Sequence, residues 1–169
     1  QATSPGVRWL LTQNGPTEEL PDGVEVLQGI ERPKNMRTST HHAIGLYTAL
    51  EEAKTRYVLL LDPDFLILRP LREIIKHIRK EQLAFFGAGY SPHFPRCYIN
   101  FPAVFCMFVD RKAVDSLDFD PSFSHKLPRY GVDKAETGVR IFQQYKSHPS
   151  EIVTYVDNRG YDYYEWCGK

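Results

Sequence analysis

Tyr57-Val-Leu-Leu-Leu61 is too short for a helix and apolar without alternation, and it stops abruptly at Asp62-Pro63-Asp64. A run of that kind reads as a strand covered on both faces, the pattern of a parallel sheet. Its end is as informative as its body. Two carboxylates two residues apart in extended chain point the same way. Without a cation they would repel, and each would lose solvation beside a core. A hard divalent ion, magnesium or manganese, removes the conflict and would bridge to phosphate oxygens. The plainer reading is a polar turn that ends a strand, with Asp64 as a cap.

Around that strand the chain alternates between strand and helix signals. Val7 to Thr12 is rich in strand formers and stops at Gln13-Asn14-Gly15-Pro16, and a short strand over 24–27 follows the turn at Pro21-Asp22-Gly23. Residues 28–40 read as a polar loop. Ala43, Leu46, Tyr47 and Leu50 have helical spacing, which predicts a helix over 41–54 capped by Ser39 or Thr40. Pro70, Leu71, Ile74, Ile75 and Ile78 predict a second helix over 70–80. Strands are expected over 83–86, 101–109 and 152–156, a short helix over 111–117 and a third clear helix over 133–145. Gly87 and Gly89 would ease a turn, and Tyr161, Tyr163, Tyr164 and Trp166 would pack a terminal segment onto the domain. The alternation predicts an α/β fold with a mostly parallel central sheet flanked by helices. Ligands in such sheets bind beyond the carboxyl ends of the strands, which points to Asp62 and Thr12.

With 169 residues this is the length of one domain, expected to span 1–169. Basic and acidic side chains number 21 each, so no whole-protein electrostatic drive toward nucleic acid or an anionic membrane exists. Three irregularly spaced cysteines exclude a disulfide framework or zinc knuckle and suit reduced thiols, and no apolar run is long enough to cross a bilayer. A cytoplasmic location, with or without membrane association, is the expectation.

Two motifs that share the Asp-x-Asp spacing can be set against the metal reading. A calcium loop needs an oxygen ligand where this chain has Leu66 and a glycine where it has Ile67. A phosphatase of the haloacid dehalogenase type carries its Asp-x-Asp after the first strand, with later lysine and paired-aspartate motifs. Here at least two strands come first and no convincing later set follows, so that reading, with a phospho-aspartate at Asp62, ranks last.

The stretch from His42 to Pro70, a helix carrying Gly45-Leu46 and Ala49, then the apolar strand, then Asp62-Pro63-Asp64, resembles the central segment of GT-A glycosyltransferases, particularly family 2. Val7 to Gly15 is similar to that family's second strand and its Asp-Asn-Gly-Ser turn. Phe105 to Ala113 resembles the strand and basic turn after the acceptor region. Phe119 to Phe123 and Asp133 to Arg140 resemble the loop and acidic helix start that hold the catalytic base. The set covers most of residues 7–145 in family order. It implies a GT-A (nucleotide-diphospho-sugar transferase) fold, with 7–69 as the nucleotide and metal half and 83–156 as the acceptor half. The implied activity is inverting, metal-dependent transfer of a sugar from a nucleotide diphosphate sugar to an acceptor hydroxyl.

Under that resemblance Asp64 binds Mn2+ or Mg2+ on the diphosphate, and Asp62 contacts the ribose or the metal with its waters. His148 is the histidine that would complete the metal site, Asn14 sits in the nucleotide-side turn, and the basic loop Arg32 to His42, with Arg37 and His42, faces the donor phosphates. The catalytic base is Asp133 or Glu136, both at a helix start where the dipole favours a carboxylate. A cation stabilises the leaving diphosphate and an acid removes the acceptor's proton. The pattern is broken in two places: Gln13 replaces the family's aspartate, and the resemblance enters at the second strand, in a sequence that opens on Gln1. A missing first strand and its helix are therefore expected, with an exposed sheet edge that favours homo-oligomers. The competing reading is a non-catalytic nucleotide- or carbohydrate-binding fragment of the same shape.

Overall fold

The computed structural model describes residues 6–13, 22–90, 100–121, 137–155 and, as backbone, 164–166. Its strands are β1 (Trp9–Gln13), β2 (Val24–Gln28), β3 (Tyr57–Leu61), β4 (Phe65–Ile67), β5 (Phe85–Gly89), β6 (Cys106–Asp110), β7 (Ser150–Tyr155) and β8 (Tyr164–Trp166). The helices are α1 (Thr38–Glu52), α2 (Leu71–Lys80) and α3 (Val139–Tyr145).

The expected mostly parallel central sheet is not what forms. The largest sheet has four strands in the order β3-β6-β5-β7, and only β5 and β7 pair in parallel; β6 runs antiparallel to both β3 and β5. A separate two-stranded parallel sheet joins β1 to β2, and β4 pairs antiparallel with β8. The apolar run of β3 misled the expectation for a physical reason. It reports burial on two faces, and an antiparallel strand can be buried on two faces as well.

Alternate residues of the sheet feed two cores. Leu60, Phe85, Met107 and Val109 face α1 and α3, where Ala43, Leu46, Leu50, Val139 and Ile141 meet them. Leu59, Leu61, Phe86, Cys106 and Phe108 face α2, through Leu71, Ile74 and Ile78, and the side chain of Phe65. In α2 those apolar residues lie on one side, with Glu73 in the first turn and His77, Arg79 and Lys80 in the last, as the helix dipole favours.

Several boundaries depart from the sequence reading. α1 starts at Thr38, with Arg37 as its N-cap and no side-chain cap from Ser39 or Thr40; the Thr38 hydroxyl accepts from Arg32 instead. No helix forms over 111–117. The Asp110 carboxylate accepts the Lys112 N–H and Ala113 N–H bonds the Asp110 carbonyl, closing a turn, and the Tyr145 hydroxyl then ties down both Ser116 N–H and Ser116 C=O. In the predicted helix 133–145 the described portion is helical from Val139, and residues 133–136 lie outside the described residues. Of the aromatic tail, residues 164–166 form β8. Among the described residues no helix is long and apolar enough to cross a membrane.

Gly87 and Gly89 lie inside β5, not in a turn. A Cβ on Gly87 would sit 2.1 Å from the Cys106 carbonyl oxygen, whereas one on Gly89 would meet the tip of the Ile152 side chain at 2.9 Å. The first obstacle is backbone and cannot move aside. Gly87→Ala is therefore expected to destabilise the fold by about 3 kcal/mol, the upper part of the range for overpacking, and Gly89→Ala by clearly less. Urea unfolding of the two variants checks the order.

At the base of β3 the Arg56 guanidinium grips Asp110 with two bonds, Nε to Oδ1 at 2.8 Å and Nη2 to Oδ2 at 2.6 Å. Tyr57, next to Arg56, is the register partner of Asp110, so the pair clamps the β3–β6 ladder. Arg56 holds the Asp110 carboxyl below the usual carboxylate range. A depressed pKa gives stability that is present above the ordinary value near 3.9 and lost as pH falls through the folded one. Asp110→Asn should lower the melting temperature at pH 7, and the deficit should shrink on titration below pH about 4.

Candidate functional site

The strand ladder continues one step beyond β3, with Asp62 N–H donating to the Phe105 carbonyl at 2.8 Å. The chain then turns over Pro63 and Asp64, and Phe65 N–H bonds back to the Asp62 carbonyl at 3.2 Å. Asp at the first position and Pro at the second suit such a turn. The two carboxylates thus come near each other through a tight turn, not through an extended pleat. β3, β5 and β7 run in one direction, so Asp62 stands on the rim where all three end and β6 begins.

Burial and the like charge of Asp64 push the Asp62 carboxyl up to about 6. His42 Nε2 lies 3.6 Å from Asp62 Oδ1, too long for a hydrogen bond. Burial pushes the His42 imidazole down, so at neutral pH it stands beside Asp62 uncharged and does not neutralise it. On its other side His42 Nδ1 is 3.5 Å from the Thr137 hydroxyl, which also reaches the Ser39 carbonyl at 3.4 Å. The flank of the site is aromatic: Phe105 stacks on Phe65 at 5.3 Å and meets Tyr90 edge-on at 5.1 Å.

A second latch holds α3 to α1. Arg140 Nε binds Asp118 Oδ2 at 2.6 Å, and Asp118 Oδ1 accepts from the Tyr47 hydroxyl at 3.0 Å and from Asp120 N–H at 2.9 Å. Tyr47 also accepts from Phe119 N–H and packs its ring on Phe119. These contacts keep Thr137, just before α3, against His42.

Of the residues singled out from the sequence, the structure gathers His42, Asp62 and Asp64. Arg37 is exposed at the start of α1. His148 is not brought to them. It sits in the turn that enters β7, and β7 starts at the end of the sheet opposite Asp62; there its ring packs edge-on against Tyr145. Asn14, Asp133 and Glu136 lie outside the described residues. Thr137 was missed, because a lone buried threonine before a helix carries no chemical signature in sequence.

Among the described residues no group of three or more His, Cys, Asp and Glu side chains is arranged to hold a metal ion. The carboxylate pair still suits one kind of cation. Magnesium and manganese take oxygen ligands, and magnesium keeps several waters and needs only one or two carboxylates plus substrate phosphates. The charge repulsion that lifts Asp62 is the strain such an ion would relieve.

A raised carboxyl pKa means that the folded state gains from protonation, so ionising Asp62 weakens the fold as pH rises through the interval between about 4 and 6. Asp62→Asn is expected to melt higher than the parent protein at pH 7.5, with the gap closing by pH 4. A variant that melts lower at pH 7.5 would show that Asp62 is held by favourable partners instead.

No family model matches this chain, and no curated protein matches it. Among solved structures it is similar to one described as the crystal structure of A197 from STIV, at a TM-score of 0.47 and 14% identity, over 86% of this chain and 80% of that one. A likeness that weak carries no argument about fold or function.

Proposed function

We propose that the protein transfers a sugar from a nucleotide diphosphate sugar to an acceptor hydroxyl, by a divalent-metal-dependent and inverting route. What carries this reading is the Asp62 carboxyl, lifted to about 6 at a strand end by burial and by Asp64, with an uncharged histidine beside it. A protein that keeps two desolvated carboxylates together without a cationic side chain at hand has a use for a cation there. Asp62 and Asp64 would hold the ion, which when bound supplies the positive charge that a departing diphosphate needs.

The chain's own residues do the rest. Asp62 and Asp64 fix where the diphosphate lies. His42, uncharged, gives the donor a wall that neither repels the cation nor competes with it for phosphate. Phe65, Phe105 and Tyr90 exclude water from one side. The proton of the acceptor hydroxyl goes to Asp133 or Glu136, in the acidic segment that leads directly into Thr137 and so into contact with His42.

The test is release of nucleoside diphosphate from a panel of nucleotide diphosphate sugars, with and without manganese. Turnover that requires manganese and falls at least about a hundredfold in Asp64→Asn is the expected result, since one well-placed charge contribution is worth that much in a transition state. Tight donor binding without release in either protein would identify a binding module. No donor binding and no thermal shift with manganese would sink the reading altogether.

A further inference from the structure

Six residues back along the chain from Asp62, roughly 20 Å at the rise of a strand, lies a second concave site. It is an open cleft of about 430 Å³ walled by Arg56, Arg79, Lys112 and Asp110 over a floor of Ile78 and Leu83. Three cations face one carboxylate there, in a chain whose basic and acidic side chains are otherwise equal in number.

That carboxylate is already committed. Asp110 Oδ1 accepts from Arg56 Nε and from Lys112 N–H, and Oδ2 from Arg56 Nη2. The remaining positive charge belongs to Arg79 and Lys112, and among the described residues neither makes an ion pair. Arg79 is held in place by its surroundings: Nε donates to the Tyr57 hydroxyl at 3.2 Å, and its guanidinium carbon lies 5.4 Å from the Tyr57 ring centre. Arg56 lies 4.9 Å from the same ring. Two guanidinium groups are thus gathered on one tyrosine, with the outer nitrogens of Arg79 left to serve the cleft.

The third element is a strained residue. Gln82 has φ +53, and it lines the same cleft. It ends α2 in the left-handed conformation, with Leu83 N–H bonding the Ile78 carbonyl at 3.0 Å, a position where glycine is the usual occupant. Using glutamine there strains the backbone and places an amide donor at the mouth of a cationic cleft. The carbonyls of His77, Ile78 and Arg79 that would repel an anion from this helix end each accept a backbone N–H.

We propose that this cleft is a binding site for a phosphate group, with Arg79 and Lys112 supplying charge, Gln82 an amide donor, and Arg56, braced by Asp110, the fixed wall. The site is independent of the carboxylate pair, being formed by the opposite ends of β3 and β6. The phosphate can arrive as a free phosphorylated molecule or as a lipid headgroup, and the two sources separate experimentally.

In metal-free buffer, titrate the full chain with inorganic phosphate and pyrophosphate while following amide and arginine resonances, and measure co-sedimentation with vesicles of phosphatidylcholine alone or with one-fifth phosphatidic acid. The expected result is saturable shifts at Arg79, Gln82 and Lys112, or capture by the phosphatidic acid vesicles only. Binding should weaken about tenfold in Lys112→Gln and further in Lys112→Gln/Arg79→Gln, as loss of charged hydrogen bonds implies, and be unchanged in Asp64→Asn. Lys112 is exposed, so its substitution leaves the fold intact even where Arg79 might not. Shifts for phosphate identify a free ligand, and vesicle capture without them a headgroup. No saturable response in either arm, or binding equal in parent and Lys112→Gln, overturns the proposal.

Discussion

The pairing of β3 with β6 is the contact on which the rest of the molecule depends. It is fastened at both ends: Arg56 grips Asp110 at the base, and Asp62 N–H extends the ladder to Phe105 at the tip. Between them the register sets which side chains of β3 enter which core, since a slip of one residue would exchange the faces. Leu60 would leave the α1 side and Leu59 and Leu61 the α2 side. The same pairing places one functional surface at each end of a single strand. Asp62 and Asp64 lie beyond the last residue, and the Arg56, Arg79 and Lys112 cleft lies before the first.

The two ends are electrostatic opposites, and each is built by leaving charge incompletely answered. At the tip a carboxylate is desolvated next to a second one, and the adjacent imidazole is kept neutral by burial. At the base the single acid is saturated by one arginine and a backbone N–H, while the other cations remain. Ordinary surface ion pairs of this chain look different. Arg8 with Glu25 and Lys80 with Glu81 match one charge to one charge in open solvent, an arrangement that contributes little.

How much of this could be read in advance follows from what each signal measures. β3 was legible to the residue because five apolar positions bounded by charge leave few alternatives, and α2 was legible because Leu71, Ile74 and Ile78 repeat at helical spacing. Strand direction was not, because nothing local in Tyr57 to Leu61 says which way its neighbour runs. β4 and β8 were missed since three-residue strands lie below the length at which alternation can be seen. The helix assigned to 111–117 failed at Asp110, whose side chain competes for backbone N–H groups in a way that apolar spacing does not register. Asp62, Asp64 and His42 could be chosen from residue type and position. Thr137, Tyr47, Asp118 and the Arg56 grip could not, because each acts through a partner tens of residues away in sequence.

Cys106 draws a kinetic consequence from this architecture. It opens β6 and is wholly buried, and burial pushes its thiol well above the usual range. Only the thiolate is reactive, so the sulfur is silent to alkylating reagents while β6 stays between β3 and β5. Its rate of labelling therefore clocks how often the sheet parts along its central strand. The two functional ends of β3 share that one clock, since neither outlasts the strand that joins them.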